Sequence, residues 1–443
     1  QLCHIQGRCC QGSVFFCLKP AAFWEFQKTR VDAAEAAFLF CVFAGGAPAE
    51  INFIEKKRLR NMKKFAKAAC LLTVAAMVLT CFSACGKSGK DDKTLLLGGI
   101  GPLTGDYANY GKSVQNGAEL AVKEINEAGG VNGFTFKLEF QDSQGVADSA
   151  VNAYGKLMDM GMDVSLGTVL SGEMASVAQA GVDDGILMLT PSASSKSCIE
   201  SNMNAFRICF NDPQQGTASA DFIAENELAK KVAIFYAGDN DYSVGLYETF
   251  VAECAVKGIE ITTTQSFTDA AKTDFSAQIN AIASSGAEMV FIPIYAAEAA
   301  TFLTQANGKL NIPFFGCDGL DGLLTKISDP ALAEGVMLLT PFAADDPDAK
   351  SFVDAYKAAY NATPDQFAAD GYDAVYAVKA AVEKAGITPD NKDDTFSDNL
   401  VSAMTQITVK GVTGTMTWKA DGETNKAAKA MVIKDGVAVL YTK

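Results

Sequence analysis

LLLGGIGPLTGDYANYGKSVQNGAELAVKEINEAGGVNG, residues 95–133, is the stretch that decides the fold. Its apolar run, residues 95–100, predicts a buried parallel strand. A loop punctuated by Gly and Pro follows at residues 101–111 and carries Thr104, Tyr107, Asn109 and Tyr110. Val114, Ala118, Leu120, Ala121 and Ile125 then mark a helix that Gly129-Gly130 ends. Strand, polar loop and helix open a doubly wound α/β domain, where ligands bind outside the carboxyl ends of the strands. The loop is therefore expected to face a ligand. Two nucleotide motifs fail at this place. Gly99-Ile100-Gly101 lacks the third glycine of a dinucleotide fingerprint, because Thr104 stands there. Gly111-Lys112-Ser113 lacks the first glycine of a phosphate loop, because Asp106 stands there.

Working outward, apolar strands alternate with amphipathic helices, the mark of parallel sheets. Strands are expected at residues 134–140, 164–167, 186–190 and 205–210, with helices at 147–160 and 172–183. Asn211-Asp212-Pro213 breaks this series and reads as a crossover. A second series runs through strands at 232–236, 259–264, 289–295 and 314–317, then strand 336–340 meets Pro341, a second crossover. Helices at 349–360 and 367–385 read as a return to the first lobe, and the tail as short strands with a hairpin at Lys434-Asp435-Gly436. Two similar series with three crossovers imply two lobes around a cleft, and hinges of that kind close on ligands.

The 443 residues are 49% hydrophobic and 20% charged, ample for two cores. Residues 1–84 carry 11 basic against 5 acidic side chains, so the net −15 of the chain leaves −21 on the rest. That acidic body argues against nucleic acid and against direct attraction to an anionic membrane surface. The single histidine, His4, lies outside the body, which removes the commonest general base and metal ligand. No Ser elbow G-x-S-x-G occurs in the body either. No enzyme activity, metal or cofactor is expected. Arg207 is the only arginine after Arg60, and its apolar strand favours a structural ion pair near the hinge over a ligand clamp.

The front of the chain has a different character. Residues 1–61 are rich in Cys and Phe and are expected to be sequence upstream of a start at Met62. Lys63, Lys64 and Lys67, an apolar run at 68–80 and small residues before Cys85 make residues 62–84 an export signal too short to span a membrane. This segment resembles a bacterial lipoprotein signal peptide, which implies cleavage before Cys85, its lipidation, and a flexible tether over 85–93. Export permits a disulfide, and Cys198–Cys209 is the pair close in sequence; buried free thiols fit equally.

The body resembles the solute-binding lipoproteins of branched-chain amino-acid ABC transporters, the leucine/isoleucine/valine type. The resemblance rests on GPLTGDYANYG with NGAELAVKEINEAGGVNG, on GILMLTPSAS, FRICFNDPQQG, DNDYSVGL and DFSAQI, and on GVTGTMTW. It implies an α/β fold of two Rossmann-like doubly wound lobes joined by a three-crossover hinge, the type I periplasmic binding protein. Lobe 1 is expected at 94–212 plus 342–412 and lobe 2 at 213–341 plus 413–443. The resemblance places the ligand α-carboxylate at Ser171, Ser192 and Ser194, the ammonium at Asp318, Tyr242 and Tyr295, and the side chain at Tyr110. The same serines suit helix N-caps and turns, and Asp318 suits a turn before Gly319. The function implied is capture of an amino acid, branched-chain or other neutral, by a monomer that delivers it to an ABC permease and ATPase. The protein would sit at the cell surface or in the periplasm, held through Cys85. A sensor lobe feeding a signalling partner, or a small carboxylate or amide as ligand, stays open for the same fold.

Overall fold

The structure, a computed structural model, describes residues 93–443. The expected upstream extension, leader, Cys85 and nearly all of the tether lie outside the described residues. The first sheet contains β1 (Thr94–Gly101), β2 (Thr135–Asp142), β3 (Val164–Ser165), β4 (Met188–Thr190) and β5 (Ala205–Arg207). They run parallel in the order β2-β1-β3-β4-β5. Helices α1 (Ala108–Glu127), α2 (Ala147–Asp159), α3 (Ser171–Ala180) and α4 (Ser197–Glu200) follow successive strands. Helices on both faces explain why β1 is apolar without alternation: all but its first residue are buried.

Asn211 opens α5 (Asp212–Glu225) with a capping box: its side chain accepts from Gln214 N–H, and Pro213 sits in the first turn. The chain then builds β6 (Lys231–Ala237), α6 (Asp241–Lys257), β7 (Glu260–Phe267), α7 (Ser276–Ala283), β8 (Met289–Phe291), α8 (Ala296–Ala306), β9 (Phe314–Gly316) and β10 (Met337–Thr340). Their order, β7-β6-β8-β9-β10, repeats the permutation of the first sheet. Each lobe thus has a switch point where neighbouring connections leave on opposite faces, and the ligand crevice belongs there.

Helices α9 (Lys350–Tyr360), α10 (Gln366–Ala385) and α11 (Phe396–Met404) return to the first lobe. Gly117 and Gly371 let α1 and α10 approach backbone to backbone, since a Cβ at either would lie 1.9 Å from Ala368 O or 2.4 Å from Val114 O. A separate hairpin, β11 (Thr408–Gly411) and β12 (Gly414–Thr417), comes next. Val409, Met416 and Trp418 share the first lobe's core with Leu95, Leu97 and Phe206. The lobe boundary expected at 412/413 therefore falls inside this hairpin, and the third crossover lies beyond Trp418. The alternating pattern of GVTGTMTW marks strands but says nothing about which sheet receives them. The antiparallel pair β13 (Lys429–Lys434) and β14 (Val437–Leu440) then extends the second sheet at β10. Its turn is the expected one, with Asp435 and Gly436 at φ 52° and 73°.

Candidate functional site

All seven residues expected to touch the ligand meet at one place, because each follows the carboxyl end of a strand. Tyr110 follows β1, Ser171 follows β3, Ser192 and Ser194 follow β4, Tyr242 follows β6, Tyr295 follows β8 and Asp318 follows β9. They line one small pocket together with Val169, Leu170, Gly319 and Phe367.

The first lobe brings a helix N-terminus and three serines to the cavity. Ser171 begins α3, whose first-turn N–H groups have no intrahelical acceptors and favour negative charge. Ser171 Oγ accepts from the N–H groups of Ser194 and Ser195, both at 3.2 Å, and Ser192 Oγ donates to Val169 O at 2.9 Å. These serines thus also shape the two loops that carry them. Arg207 holds the second loop from behind, donating to the carbonyls of Ser194 (2.5 Å) and Ser195 (3.0 Å). Its Nε lies 3.3 Å from Glu423, the structural ion pair expected of this lone arginine.

The second lobe brings a buried carboxylate and two tyrosines to the cavity. Asp318 is 4% exposed. Its Oδ2 accepts from Gln215 Nε2 at 2.9 Å, while Oδ1 has no hydrogen bond. Burial pushes its carboxyl up to about 6, against the opposing pull of Tyr242, Gln215 and the Gly319 N–H. Tyr242 and Tyr295 stack beside it at 4.9 Å. Gly319 is required here, since a Cβ would lie 2.6 Å from the Tyr242 oxygen, which accepts the Gly319 N–H at 2.7 Å.

Tyr110 does more than line the cavity. Its hydroxyl donates to Gly319 O at 2.6 Å and accepts from Ala296 N–H at 2.7 Å, tying the first lobe to the second. Tyr107 donates to Glu298 at 2.8 Å, and Lys272 lies 3.1 Å from Asp106, adding further ties across the cleft.

Three polar residues at the site were not singled out from sequence. Gln215 grips Asp318 from both ends, accepting from its N–H at 3.2 Å. Asp212, read only as part of a crossover, is fully buried with neither oxygen hydrogen-bonded, and burial pushes its carboxyl well up, with Asp318 adding to the shift. Glu173 is buried at the start of α3. The sequence signal was present for two of them, in the DPQQG run. The possible Cys198–Cys209 bridge is not formed: both thiols are free and buried. Each donates instead to a carbonyl at 3.5 Å, Cys198 to Ser171 and Cys209 to Ala193. Among the described residues no three His, Cys, Asp or Glu side chains converge as a metal site requires, and no helix is long and apolar enough to cross a membrane.

A pocket between the facing carboxyl ends of two like sheets, in lobes joined by three crossovers, defines a two-lobed solute-binding fold. Residues 94–437 match the family described as periplasmic binding protein, and the chain belongs to that family. A Leu/Ile/Val-binding protein homologue of Brucella melitensis is 33% identical over 300 residues, covering 67% of this chain and 81% of the relative. Among solved structures, a leucine-binding protein of Thermotoga maritima superposes with a TM-score of 0.71 at 27% identity, over 79% of this chain and 98% of that one. A branched-chain amino-acid transporter substrate-binding protein of Streptococcus pneumoniae, in complex with isoleucine, gives 0.71 and 27% over 79% and 99%.

Proposed function

We propose that this protein is the extracytoplasmic substrate-binding component of an ABC importer, capturing an amino acid, branched-chain or other neutral, between its lobes. One observation carries the reading: a helix N-terminus with serine loops from one lobe and a buried carboxylate with a free oxygen from the other face each other across a single pocket. The α-carboxylate meets the first turn of α3 and the serine loops, and the α-ammonium meets Asp318 beside Tyr242. Kinship with binding proteins for leucine, isoleucine and valine supports the same ligand class. Binding shifts the lobes toward the closed shape that a permease and its ATPase receive, and no bond is made or broken. The leader resembling a lipoprotein signal supports anchoring through Cys85 outside the cytoplasm.

Thermal unfolding with each of the twenty amino acids, and with amides and aromatic acids, tests this. A ligand at 100 times its Kd adds about 2.7 kcal/mol of stability. A selective rise with an amino acid is the expected result. A rise only with compounds that lack an amine would refute the role of Asp318.

A further inference from the structure

Beyond the head-group cavity the cleft continues. Leu170 and Tyr295 form a wall common to that cavity and to a larger one of about 260 Å³. Two buried carboxylates line the larger cavity, Glu173 at 3% exposure and Glu298 at 5%. Their surroundings differ. Glu298 accepts from the Tyr107 hydroxyl and has the Lys272 ammonium at 3.6 Å. That ammonium is also engaged by Asp269 at 2.9 Å and Asp106 at 3.1 Å. Glu173 has no cation beside it, and the Ser143 hydroxyl and Leu170 N–H approach it without forming a well-aligned hydrogen bond to either oxygen. Burial raises its carboxyl to about 7, partly offset by the nearby Ser143 hydroxyl and Leu170 N–H, while Asp142 adds a like charge.

A buried carboxylate without a partner is costly unless a ligand completes it. Glu173 also stands at the right place for that. It lies two residues after Ser171 in the first turn of α3, so one helix end presents N–H groups to the head-group cavity and a carboxylate to the chamber beyond. Only the Leu170 and Tyr295 side chains, which line both, stand between the two. Gly172, on the same turn, leaves open space where a side chain would otherwise intrude.

We infer that the solute is an α-amino acid whose side chain ends in N–H donors, an amide or an ammonium, and that Glu173 receives that end. This rests on the reading of the solute as an α-amino acid and replaces the aliphatic side chain of the relatives' ligands with a donor-bearing one. An aliphatic side chain reaching the same wall leaves Glu173 buried and unpaired. A site built around a buried acceptor discriminates strongly against ligands that cannot satisfy it.

Calorimetric titration of the purified full chain compares glutamine with methionine, and lysine with norleucine, each pair matched in length. The expected result is that glutamine or lysine binds at least ~10-fold more tightly than its aliphatic partner, as one hydrogen bond to a charged group provides. Glu173→Met should abolish or reverse that preference. Glu173→Gln, which keeps the volume, separates the two ligand types: lysine affinity falls, whereas glutamine affinity is retained. A higher melting temperature of the ligand-free Glu173→Gln protein, from removal of the unpaired charge, would show that the variant is folded. Tighter binding of leucine, isoleucine, valine or methionine than of any donor-bearing amino acid would overturn the inference and leave amino-acid capture standing. So would a preference for glutamine or lysine that survives Glu173→Met. Binding of no amino acid at all would overturn both.

Discussion

Replacing Asp318 by Asn should move ligand-free stability and ligand affinity in opposite directions. In the ligand-free fold, burial raises the Asp318 carboxyl from 3.8 to about 6. The unfolded chain therefore ionises first as pH rises. Ligand-free stability falls between about pH 4 and pH 6 and then levels, by about 3 kcal/mol in all. Asparagine carries no charge and its carbonyl still accepts from Gln215, so at pH 7.5 the variant escapes that loss. For a chain of this size, where 1 kcal/mol moves the midpoint by about 1–2 °C, its Tm should rise by about 3–6 °C, and the gain should vanish near pH 4. With ligand the sign reverses. Removing one partner of a buried ammonium–carboxylate pair costs about 2–5 kcal/mol, a ~30- to 4,000-fold loss of affinity. Thermal melts at both pH values, with calorimetry for affinity, read both effects. A variant that is less stable without ligand at pH 7.5, or that binds as tightly as the parent, would refute this role for Asp318.

Tyr110→Phe deletes the hydroxyl that bonds both Gly319 O and Ala296 N–H across the cleft. It should cost the closed state about 2–4 kcal/mol and enlarge the ligand-saturated particle in small-angle scattering; an unchanged radius would contradict the tie. Arg207→Met leaves the Ser194 and Ser195 carbonyls and Glu423 without their buried partner, so unfolding free energy should drop by about 3–5 kcal/mol in urea titration. Asp373→Ala frees the N–H groups of Val412 and Thr413, which it accepts at 2.9 Å each, and should loosen the β11–β12 hairpin. A stability loss of about 2–4 kcal/mol is expected, with early amide exchange at residues 412 and 413. The four described cysteines are buried thiols, so they should resist alkylation in the native protein and react after denaturation without reductant; protection of Cys198 and Cys209 in denaturant would reveal a bridge.

The gross architecture was legible because it is written locally. An apolar strand, a polar loop and a helix recur, and every expected ligand residue follows a strand end, so the strand pattern alone brings those residues to one place. What stayed hidden depends on groups far apart in the chain. The Tyr110 hydroxyl meets Gly319, 209 residues later, and Gln215 meets Asp318, 103 residues later. Neither distance has a sequence signal. Glu173 looks like an ordinary first-turn acid on a helix, and only the fold around it makes it buried. The hairpin of residues 408–417 packs wholly in the first lobe, which its period-two patterning, the same in either lobe, does not reveal. Cys198 and Cys209 were close enough in sequence to suggest a bridge, but each points its thiol at a different backbone carbonyl.

Capture of an amino acid by its α-ammonium and α-carboxylate together is tested most directly by titrating the protein with its best amino acid. The comparison is the same molecule with hydrogen in place of the α-amino group. One-to-one binding of the amino acid, weakened by about 2–5 kcal/mol or lost in the amine-free analogue, is the expected outcome. Equal affinity for the two, or binding of the amine-free acid alone, would contradict it.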